Sequence, residues 1–331
     1  MQSLELEHLK QLLACRSLSL ISQSGGGNSK VFCVMENGKK WAIKSYPPYA
    51  PNQRDRLAAE CAVYQFLNQH QVKAMPTLKT VCLDKRWLVI DWIEGSLPKT
   101  YDAFDIAQAV SFLGAVAKLN HVPAAQHLPL AAEACLSLDE LIQQIEMRRK
   151  RLCDVNVPDS ALQDFLSHDF LPCLTRYQAV AREGYRKHGI LSDQLLLDAH
   201  RSLIPSDFGF HNSLRDEQGR LYFFDFDYFG WDDPVKLLAD ILWHPKMVLS
   251  EVEKEQFIHG ISAIYCADPL FLVRFRYTVP LFGLRWVLIL LNEFIPAFWQ
   301  NRQHANVQGD WDEAKRIQLG RARELLTRLA W

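Results

Sequence analysis

Residues 203–240 read LIPSDFGFHNSLRDEQGRLYFFDFDYFGWDDPVKLLAD. The stretch opens with three apolar residues and continues into a polar turn centred on Asp207, and Asn212 follows five residues later. The segment 213–224 predicts a β-hairpin, because a polar Asp-Glu-Gln-Gly turn leads into an apolar strand that ends at Phe224. We expect the hairpin to bring together the polar residues on its two sides.

Three carboxylates and one amide flank this hairpin. Asp207 and Asn212 precede it, and Asp225 and Asp227 follow its second strand, where a chain leaving a sheet commonly presents functional groups. If the strand continues, Asp225 and Asp227 point the same way, because residues two apart share a face. Carboxylate and amide oxygens suit Mg²⁺ and a hydroxyl proton, and suit zinc poorly. The stretch therefore predicts a magnesium site combined with a proton acceptor.

This arrangement resembles the catalytic and metal-binding segments of the aminoglycoside phosphotransferase/choline kinase family. The shared features are the D-x4-N pattern, the hairpin and an Asp at a strand end. Asn212 and Asp225 are thirteen residues apart, the interval expected in that family, and Gly230 and Asp233-Pro234 stand where its pattern has them. The resemblance implies a small-molecule kinase with a protein-kinase-like fold.

The resemblance also implies a role for each polar residue. Asp207 is the expected general base, which accepts the proton of the acceptor hydroxyl. Mg²⁺ bound to ATP is expected at Asn212, Asp225 and Asp227, the last as either a ligand or a wall of the pocket.

A glycine-rich turn near the N-terminus is the candidate phosphate-binding loop. It follows a β-like run at 17–22, and alternating apolar residues come after it. Its residues are Gly25, Gly26, Gly27, Asn28 and Ser29. Glycines let backbone N–H groups approach phosphates without a side-chain clash. No Gly-Lys-Ser/Thr and no helix follow, which excludes a Walker loop. Taken alone, the turn is equally typical of a flexible hairpin tip.

Lys44 and Glu60 are expected to form an ion pair beside this loop. Lys44 ends a Trp-Ala-Ile-Lys run that resembles the Val-Ala-Ile-Lys signature of kinases, where the lysine contacts the α- and β-phosphates. A helix predicted from about Gln53 to Asn68 carries Glu60 within its apolar stripe. A carboxylate that faces a packed surface needs a cation, and Lys44 is the nearest candidate in a kinase topology.

Two further strands, 78–83 and 87–92, complete a predicted five-stranded lobe with one main helix. The second strand leaves through 91–95, where a kinase-like hinge offers the backbone of residues such as Asp91 and Ile93 to adenine. We place the domain boundary here, between an N-lobe of residues 1–94 and a C-lobe of residues 95–331. Helices are predicted in the C-lobe at about 103–120, 138–152, 162–187, 233–243, 250–266, 269–297 and 310–330. The predicted fold is thus a bilobal, protein-kinase-like α/β (α+β) fold, with the glycine loop and hinge facing the hairpin residues across a cleft.

Two departures from the family pattern leave a second function open. Pro205-Ser206 stands where the family has His-Gly, and Leu237 stands where it has Asp, with Asp240 three residues later. A nucleotide-binding module of kinase-like fold that has lost catalysis is the alternative to an active enzyme.

Composition narrows the location and the partners. A net charge of −1 over 331 residues argues against general attraction to nucleic acid. The most membrane-like stretch, 277–299, is interrupted by charged residues, so membrane insertion is not expected. Eight scattered cysteines and the absence of an N-terminal signal favour a cytoplasmic protein with reduced thiols. The oligomeric state is open.

The charge of the C-terminal region bears on the acceptor. Residues 250–331 carry nine acidic and ten basic residues, a net charge of +1, whereas a site for a polycationic antibiotic is expected to be acidic. Arg274, Arg276 and Arg285 lie in otherwise apolar helices, where we expect them to pair with core carboxylates, or one of them with an anionic substrate. We therefore expect a neutral or anionic, sugar-like hydroxyl acceptor. Choline or ethanolamine and aminoglycosides are the alternatives.

Overall fold

The computed structural model describes residues 3–15, 17–25, 29–48, 54–155, 159–299 and 310–329. The chain divides into two compact units. The first unit comprises Met1–Ala132 and Leu203–Gly230, and the second comprises Glu133–Ser202 and Trp231–Trp331. The first unit therefore contains both the glycine-turn region and the hairpin stretch. The lobe boundary after residue 94 stays a prediction.

A five-stranded antiparallel sheet dominates the N-terminal part of the first unit. Its strands are β1 (Ser19–Gly25), β2 (Lys30–Glu36), β3 (Lys39–Ser45), β4 (Leu78–Cys82) and β5 (Trp87–Asp91), in the spatial order β1-β2-β3-β5-β4. The turn between β2 and β3 has Asn37 and Gly38 at φ +48° and +82°, as is typical of a tight Asn-Gly turn. One face of the sheet buries apolar side chains against helix α1 (Ser3–Leu13).

Two more helices and a short hairpin complete the first unit. They are α2 (Arg56–Gln69), α3 (Ala103–Ala117), β7 (Ser213–Arg215) and β8 (Leu221–Phe223). The carboxylate of Asp55 caps α2 by accepting the Ala58 N–H at 3.3 Å, so the helix begins at Arg56. The predicted start at Gln53 lies outside the described residues. The predicted apolar stripe of α2 is buried, and Glu60 is buried within it.

The second unit is mainly helical, as the sequence predicts. Its helices are α4 (Leu138–Cys153), α5 (Ser160–Asp164), α6 (Leu171–Lys187), α7 (Pro234–Trp243), α8 (Glu251–Ile264), α9 (Phe271–Leu290) and α10 (Trp311–Arg328). Helix α9 is central, since α4, α6, α7 and α10 all pack against it. Two three-residue strands, β6 (Ser202–Ile204) and β9 (Gly230–Asp232), lie where the chain passes between the units.

The buried arginines of α9 are neutralised inside the second unit. Arg274 pairs with Asp233 and Asp268, in both cases at 2.8 Å. Arg285 pairs with Asp240 at 2.7 Å, whereas Arg276 is exposed. The two buried arginines thus pair with core carboxylates, the first of the two outcomes expected from the sequence.

Asp240 belongs to this charged core. Besides Arg285, its carboxylate accepts the indole N–H of Trp286 at 2.8 Å and lies 3.4 Å from Lys236. These three contacts hold Asp240 in the charged core of the second unit. Within the described residues, no helix has the length and hydropathy needed to cross a membrane.

Candidate active site

Lys44 lies between two carboxylates of the first unit. Its Nζ is 2.6 Å from Glu60 Oε2 and also forms an ion pair with Asp225 Oδ1. Lys44 is held in the sheet by β3, where it pairs with Val31 of β2 and Leu88 of β5. Glu60 is fully buried and Lys44 is 8% exposed. Two residues expected in a nucleotide site, Lys44 and Glu60, therefore meet, and Asp225 joins them.

The surroundings of this trio shift its pKa values. Burial lowers the pKa of Lys44, but Glu60 and Asp225 raise it by more, so that the net pKa is above its ordinary value. Burial raises the pKa of Glu60 to about 7, against the opposing effect of Lys44. Lys44 consequently stays protonated at neutral pH and presents a permanent cation beside Asp225.

Glu60 has two further hydrogen-bond partners. The Tyr46 hydroxyl donates to its Oε2, and the Phe226 N–H donates to its Oε1 at 3.1 Å. Glu60 therefore fixes Lys44 and at the same time holds the backbone directly after Asp225.

The Asp207 carboxylate is held by two residues of the following turn. Asn212 Nδ2 donates to the Asp207 carbonyl at 2.8 Å and lies 3.3 Å from its Oδ2, and His211 Nε2 is 3.2 Å from its Oδ1. The Asp207 side chain keeps 36% of its surface exposed. It is thus oriented and still accessible to a small molecule. The sequence interpretation missed His211, although its spacing of four residues from Asp207 was a usable signal.

The hairpin pairs the backbone of Asn212 with the residue that precedes Asp225. Ser213 pairs with Phe223 across β7 and β8, and the Phe224 N–H donates to the Asn212 carbonyl at 3.1 Å. Because Asn212 Nδ2 is turned to Asp207, the amide Oδ1 is the atom left for a cation. The carboxylate and amide oxygens of this region suit Mg²⁺ in chemistry.

The relation between Asp225 and Asp227 differs from the expectation. Strand β8 ends at Phe223, and Asp225 has φ +70°, so the extended run stops before both acids. Strand alternation therefore does not set their directions. The two carboxylates still interact: burial raises the pKa of Asp227 to about 6, and the negative charge of Asp225 adds to that rise.

Asp227 is only 3% exposed, and its neighbouring cation comes from α2. Arg56 Nη1 lies 3.5 Å from Asp227 Oδ2, and Arg56 Nη2 donates to the Tyr228 hydroxyl at 2.9 Å. The sequence interpretation did not single out Arg56. Its place as the first residue of a helix gave no signal of a contact some 170 residues further along the chain.

The glycine loop is described only at its two ends. Gly25 pairs with Lys30 where β1 and β2 approach the turn, and Ser29 directly precedes β2. Gly26, Gly27 and Asn28 lie outside the described residues. The candidate loop thus joins β1 and β2, the strands between which the sequence places it.

The two hinge candidates differ in their backbone hydrogen bonding. The Asp91 N–H donates to the Thr77 carbonyl at 3.0 Å, so it is already used within the sheet region. Among the described residues, the backbone of Ile93 makes no such bond. Of the two residues, Ile93 is therefore the one whose backbone groups are left for hydrogen bonds with an adenine ring.

Gly95 lies where the backbone of Arg215 comes very close. A Cβ at this position would lie 2.6 Å from the Arg215 carbonyl oxygen. The neighbouring Ser96 exchanges two backbone hydrogen bonds with Arg215, at 3.0 and 2.9 Å. The segment after β5 is thereby fixed to β7 of the hairpin. A side chain at this position would have no room beside the Arg215 backbone.

A comparison with protein families identifies the chain. The model described as "Phosphotransferase enzyme family" matches residues 19–273, which include all the candidate site residues. The chain belongs to this phosphotransferase family. The small-molecule kinase predicted from the sequence is thereby confirmed at the level of enzyme class.

Solved structures confirm the protein-kinase-like α+β fold of this phosphotransferase. A spectinomycin phosphotransferase matches with a TM-score of 0.63 and 14% identity, over 99% of this chain and 98% of its own. A choline/ethanolamine kinase family protein from Mesorhizobium loti has a TM-score of 0.57 and 19% identity, over 97% and 94%. A choline kinase from Streptococcus pneumoniae has a TM-score of 0.59 and 14% identity, over 98% of both chains. No curated protein sequence matches the chain.

Proposed function

We propose that this phosphotransferase moves the γ-phosphate of Mg²⁺-bound ATP to a hydroxyl group of a small molecule. The observation that carries the proposal is Lys44, a buried cation held by Glu60 and paired with Asp225. A cation locked in one place suits phosphoryl transfer, because that reaction depends on positioning and charge stabilisation more than on covalent chemistry.

The nucleotide requirement is supported by solved relatives. The spectinomycin phosphotransferase was solved with ADP, and the pneumococcal choline kinase with AMP. In this chain, the turn 25–29, Lys44 and the backbone at Ile93 are the proposed nucleotide contacts.

Asn212 and Asp225 are the proposed ligands of Mg²⁺, with Asp227 beside them. When bound there, Mg²⁺ would neutralise charge on the phosphates of the nucleotide. The residues fit it in donor type, since they offer an amide oxygen and carboxylate oxygens on the two sides of one hairpin.

Asp207 is the proposed general base. The acceptor hydroxyl donates a hydrogen bond to the carboxylate, its oxygen attacks the γ-phosphorus, and the bond to the β-phosphate oxygen breaks. The proton passes to Asp207, and ADP leaves. A positioned base typically contributes roughly 10²–10⁴ in rate. His211 and Asn212 orient this carboxylate from residues that follow it, which gives a physical basis for catalysis without the His-Gly of the family pattern.

The proposed acceptor is neutral or anionic and sugar-like. Solved relatives include a spectinomycin phosphotransferase, a phosphotransferase in complex with gentamicin, and a choline kinase. Here the net charge of residues 250–331 is +1, without the acidic excess that suits a polycation. Arg274 and Arg285 give no support to an anionic group on the acceptor, because both are paired with carboxylates.

The test is ADP release with Mg²⁺-ATP and a panel of sugars, nucleosides, amino alcohols and aminoglycosides. Stimulation by a sugar-like compound supports the whole proposal. Stimulation by choline, ethanolamine or an aminoglycoside contradicts the acceptor class and keeps the reaction.

A nucleotide-binding module without turnover is the second candidate, favoured by Pro205-Ser206 in place of His-Gly. This second candidate predicts that the chain binds Mg²⁺-ADP but forms no ADP from ATP, even by slow hydrolysis. Comparing the wild type with Asp207→Asn decides between the two functions, because only an enzyme has turnover that the substitution can remove.

A further inference from the structure

The first turns of α2, together with Arg54 just before the helix, contact four consecutive residues after Asp225. Glu60 accepts the Phe226 N–H at 3.1 Å, and Arg54 donates to the Phe229 carbonyl at 3.0 Å. Between these contacts, Arg56 reaches the Asp227 carboxylate at 3.5 Å and the Tyr228 hydroxyl at 2.9 Å. We call residues 226–229 the anchored segment.

The ion pair between Arg56 and Asp227 is partly shielded from solvent. The Asp227 side chain is 4% exposed and that of Arg56 33%, so water screens the pair only on the arginine side. The guanidinium also lies 5.2 Å from the centre of the Tyr228 ring, within the range of a cation–π contact. Nη2 thus hydrogen-bonds the Tyr228 hydroxyl, whereas Nη1 faces the Asp227 carboxylate as an ion pair without a hydrogen bond. The planar guanidinium holds these two contacts in a fixed geometry that a flexible lysine side chain does not reproduce.

These contacts bear on the metal-binding residues. The anchored segment begins directly after Asp225, and β8 ends two residues before that acid. Asp225 therefore lies between a hairpin on one side and a segment attached to α2 on the other. A loose segment would let Asp225 and Asp227 move apart from Asn212.

We propose that Arg56 is a positioning residue for the metal site, acting through Asp227. Its guanidinium holds the Asp227 carboxylate against α2, and this fixes the direction of Asp225 towards the metal. Asp227 serves as the anchor of that segment. The inference rests on the proposed function, because it presumes that Mg²⁺-nucleotide binds at Asn212 and Asp225.

The first measurement is the affinity for Mn²⁺, a paramagnetic substitute for Mg²⁺, in the presence of ADP, followed by electron paramagnetic resonance. Arg56→Ala is expected to weaken Mn²⁺ binding about tenfold, the lower end of the range for residues that orient metal ligands. Arg56→Lys keeps the charge but loses the fixed planar geometry of the guanidinium, so an intermediate loss of Mn²⁺ affinity is expected. Arg86→Ala is the matched control, because Arg86 pairs with Asp55 at 2.8 Å on the same helix end. It should bind Mn²⁺ as the wild type does.

A double-mutant cycle identifies the route of the effect. If Arg56 acts through Asp227, Arg56→Ala should lower the Mn²⁺ affinity by less than about twofold when it is added to Asp227→Asn. A full tenfold loss there would overturn the proposal, as would wild-type Mn²⁺ affinity in Arg56→Ala.

Hydrogen exchange without nucleotide gives an independent readout. The amides of the anchored segment should exchange faster in Arg56→Ala than in the wild type or Arg86→Ala. Unchanged exchange would overturn the proposal. If Arg56→Ala does not fold, Mn²⁺ affinity and hydrogen exchange are measured on Arg56→Lys instead. Wild-type values of that variant in both measurements would overturn the proposal.

The outcomes separate this inference from the proposed function. A wild-type chain that binds no Mn²⁺ with ADP contradicts the proposed function, whereas the exchange experiment still judges the attachment to α2. Wild-type binding together with unaffected Arg56 variants contradicts this inference alone.

Discussion

Lys44 Nζ and Glu60 Oε2 are 2.6 Å apart, and the glutamate is fully buried. Removing one partner of a buried ion pair is strongly destabilising, because the other charge is left in an apolar environment without compensation. The pair therefore affects both stability and the site: Glu60 also accepts the N–H of Phe226, which follows Asp225.

Lys44→Ala is expected to abolish turnover and to destabilise the first unit. Leaving Glu60 without its cation should cost about 3–5 kcal/mol, as for other buried pairs broken on one side. Denaturant unfolding and ADP release measure the two effects. In Lys44→Ala/Glu60→Gln the loss of stability should be partly recovered while turnover stays absent. Turnover in either variant would contradict the role of the lysine.

Substitutions of Asp207 and Asp225 should affect different steps, transfer in the first case and nucleotide binding in the second. Asp207→Asn keeps the shape of the side chain and removes the base, so transfer should fall by roughly two orders of magnitude or more with Mg²⁺-ADP affinity nearly unchanged. Asp225→Ala removes a proposed metal ligand and should weaken Mg²⁺-ADP binding as well as turnover. Calorimetric titration with ADP, with and without Mg²⁺, measures the difference. Full transfer by Asp207→Asn would show that the base is another group.

Gly95→Ala should destabilise the first unit. The new Cβ would meet the Arg215 carbonyl at 2.6 Å, and the backbone there is held by the Ser96 hydrogen bonds, so a shift is required. Overpacking of this kind typically costs about 1–3 kcal/mol. Gly320→Ala is the control: it lies inside α10 with no atom within 4 Å of the added Cβ, and should stabilise by up to about 1 kcal/mol. Thermal unfolding of both variants checks the opposite signs.

The pH dependence of stability should change in Asp232→Asn. Burial raises the pKa of Asp232 to about 6, although Lys236 opposes this shift. Between an ordinary pKa near 4 and about 6, the folded state binds more protons than the unfolded state, so this group makes stability fall as pH rises. Asn keeps the oxygen that accepts the Cys135 N–H at 2.8 Å. The free energy of unfolding of the variant, relative to the wild type, should therefore rise between pH 4 and 6.

A carboxylate with the opposite shift provides the control. Burial raises the pKa of Asp216, but hydrogen bonds from Arg220 and Gln218 and the charge of Arg220 together lower it by more. Its stabilising effect is present above the ordinary pKa and is lost as pH falls. Asp216→Asn should therefore lose stability relative to the wild type as pH rises, the reverse of Asp232→Asn.

Local sequence patterns were sufficient for the elements and for part of the site. Apolar periodicity and turn residues predicted the five strands, α2 and the helices of the second unit, because each element buries one face and ends at a recognisable cap or turn. The pairing of Lys44 with Glu60 was also predictable, since a carboxylate inside an apolar stripe requires a cation. The enzyme class followed from the resemblance of these motifs to those of the aminoglycoside phosphotransferase/choline kinase family.

Contacts between distant segments were decided only by the tertiary structure. Arg56 contacts Asp227 and Tyr228 because the hairpin stretch lies against α2. Gly95 comes close to Arg215 because the hairpin also lies against the segment after β5. The end of β8 before Asp225 likewise depends on this packing. Periodicity and propensity describe a residue relative to its neighbours in sequence. They carry no information on which side chain, more than a hundred positions away, fills the adjacent space, and that geometry orients the carboxylates of the proposed metal site.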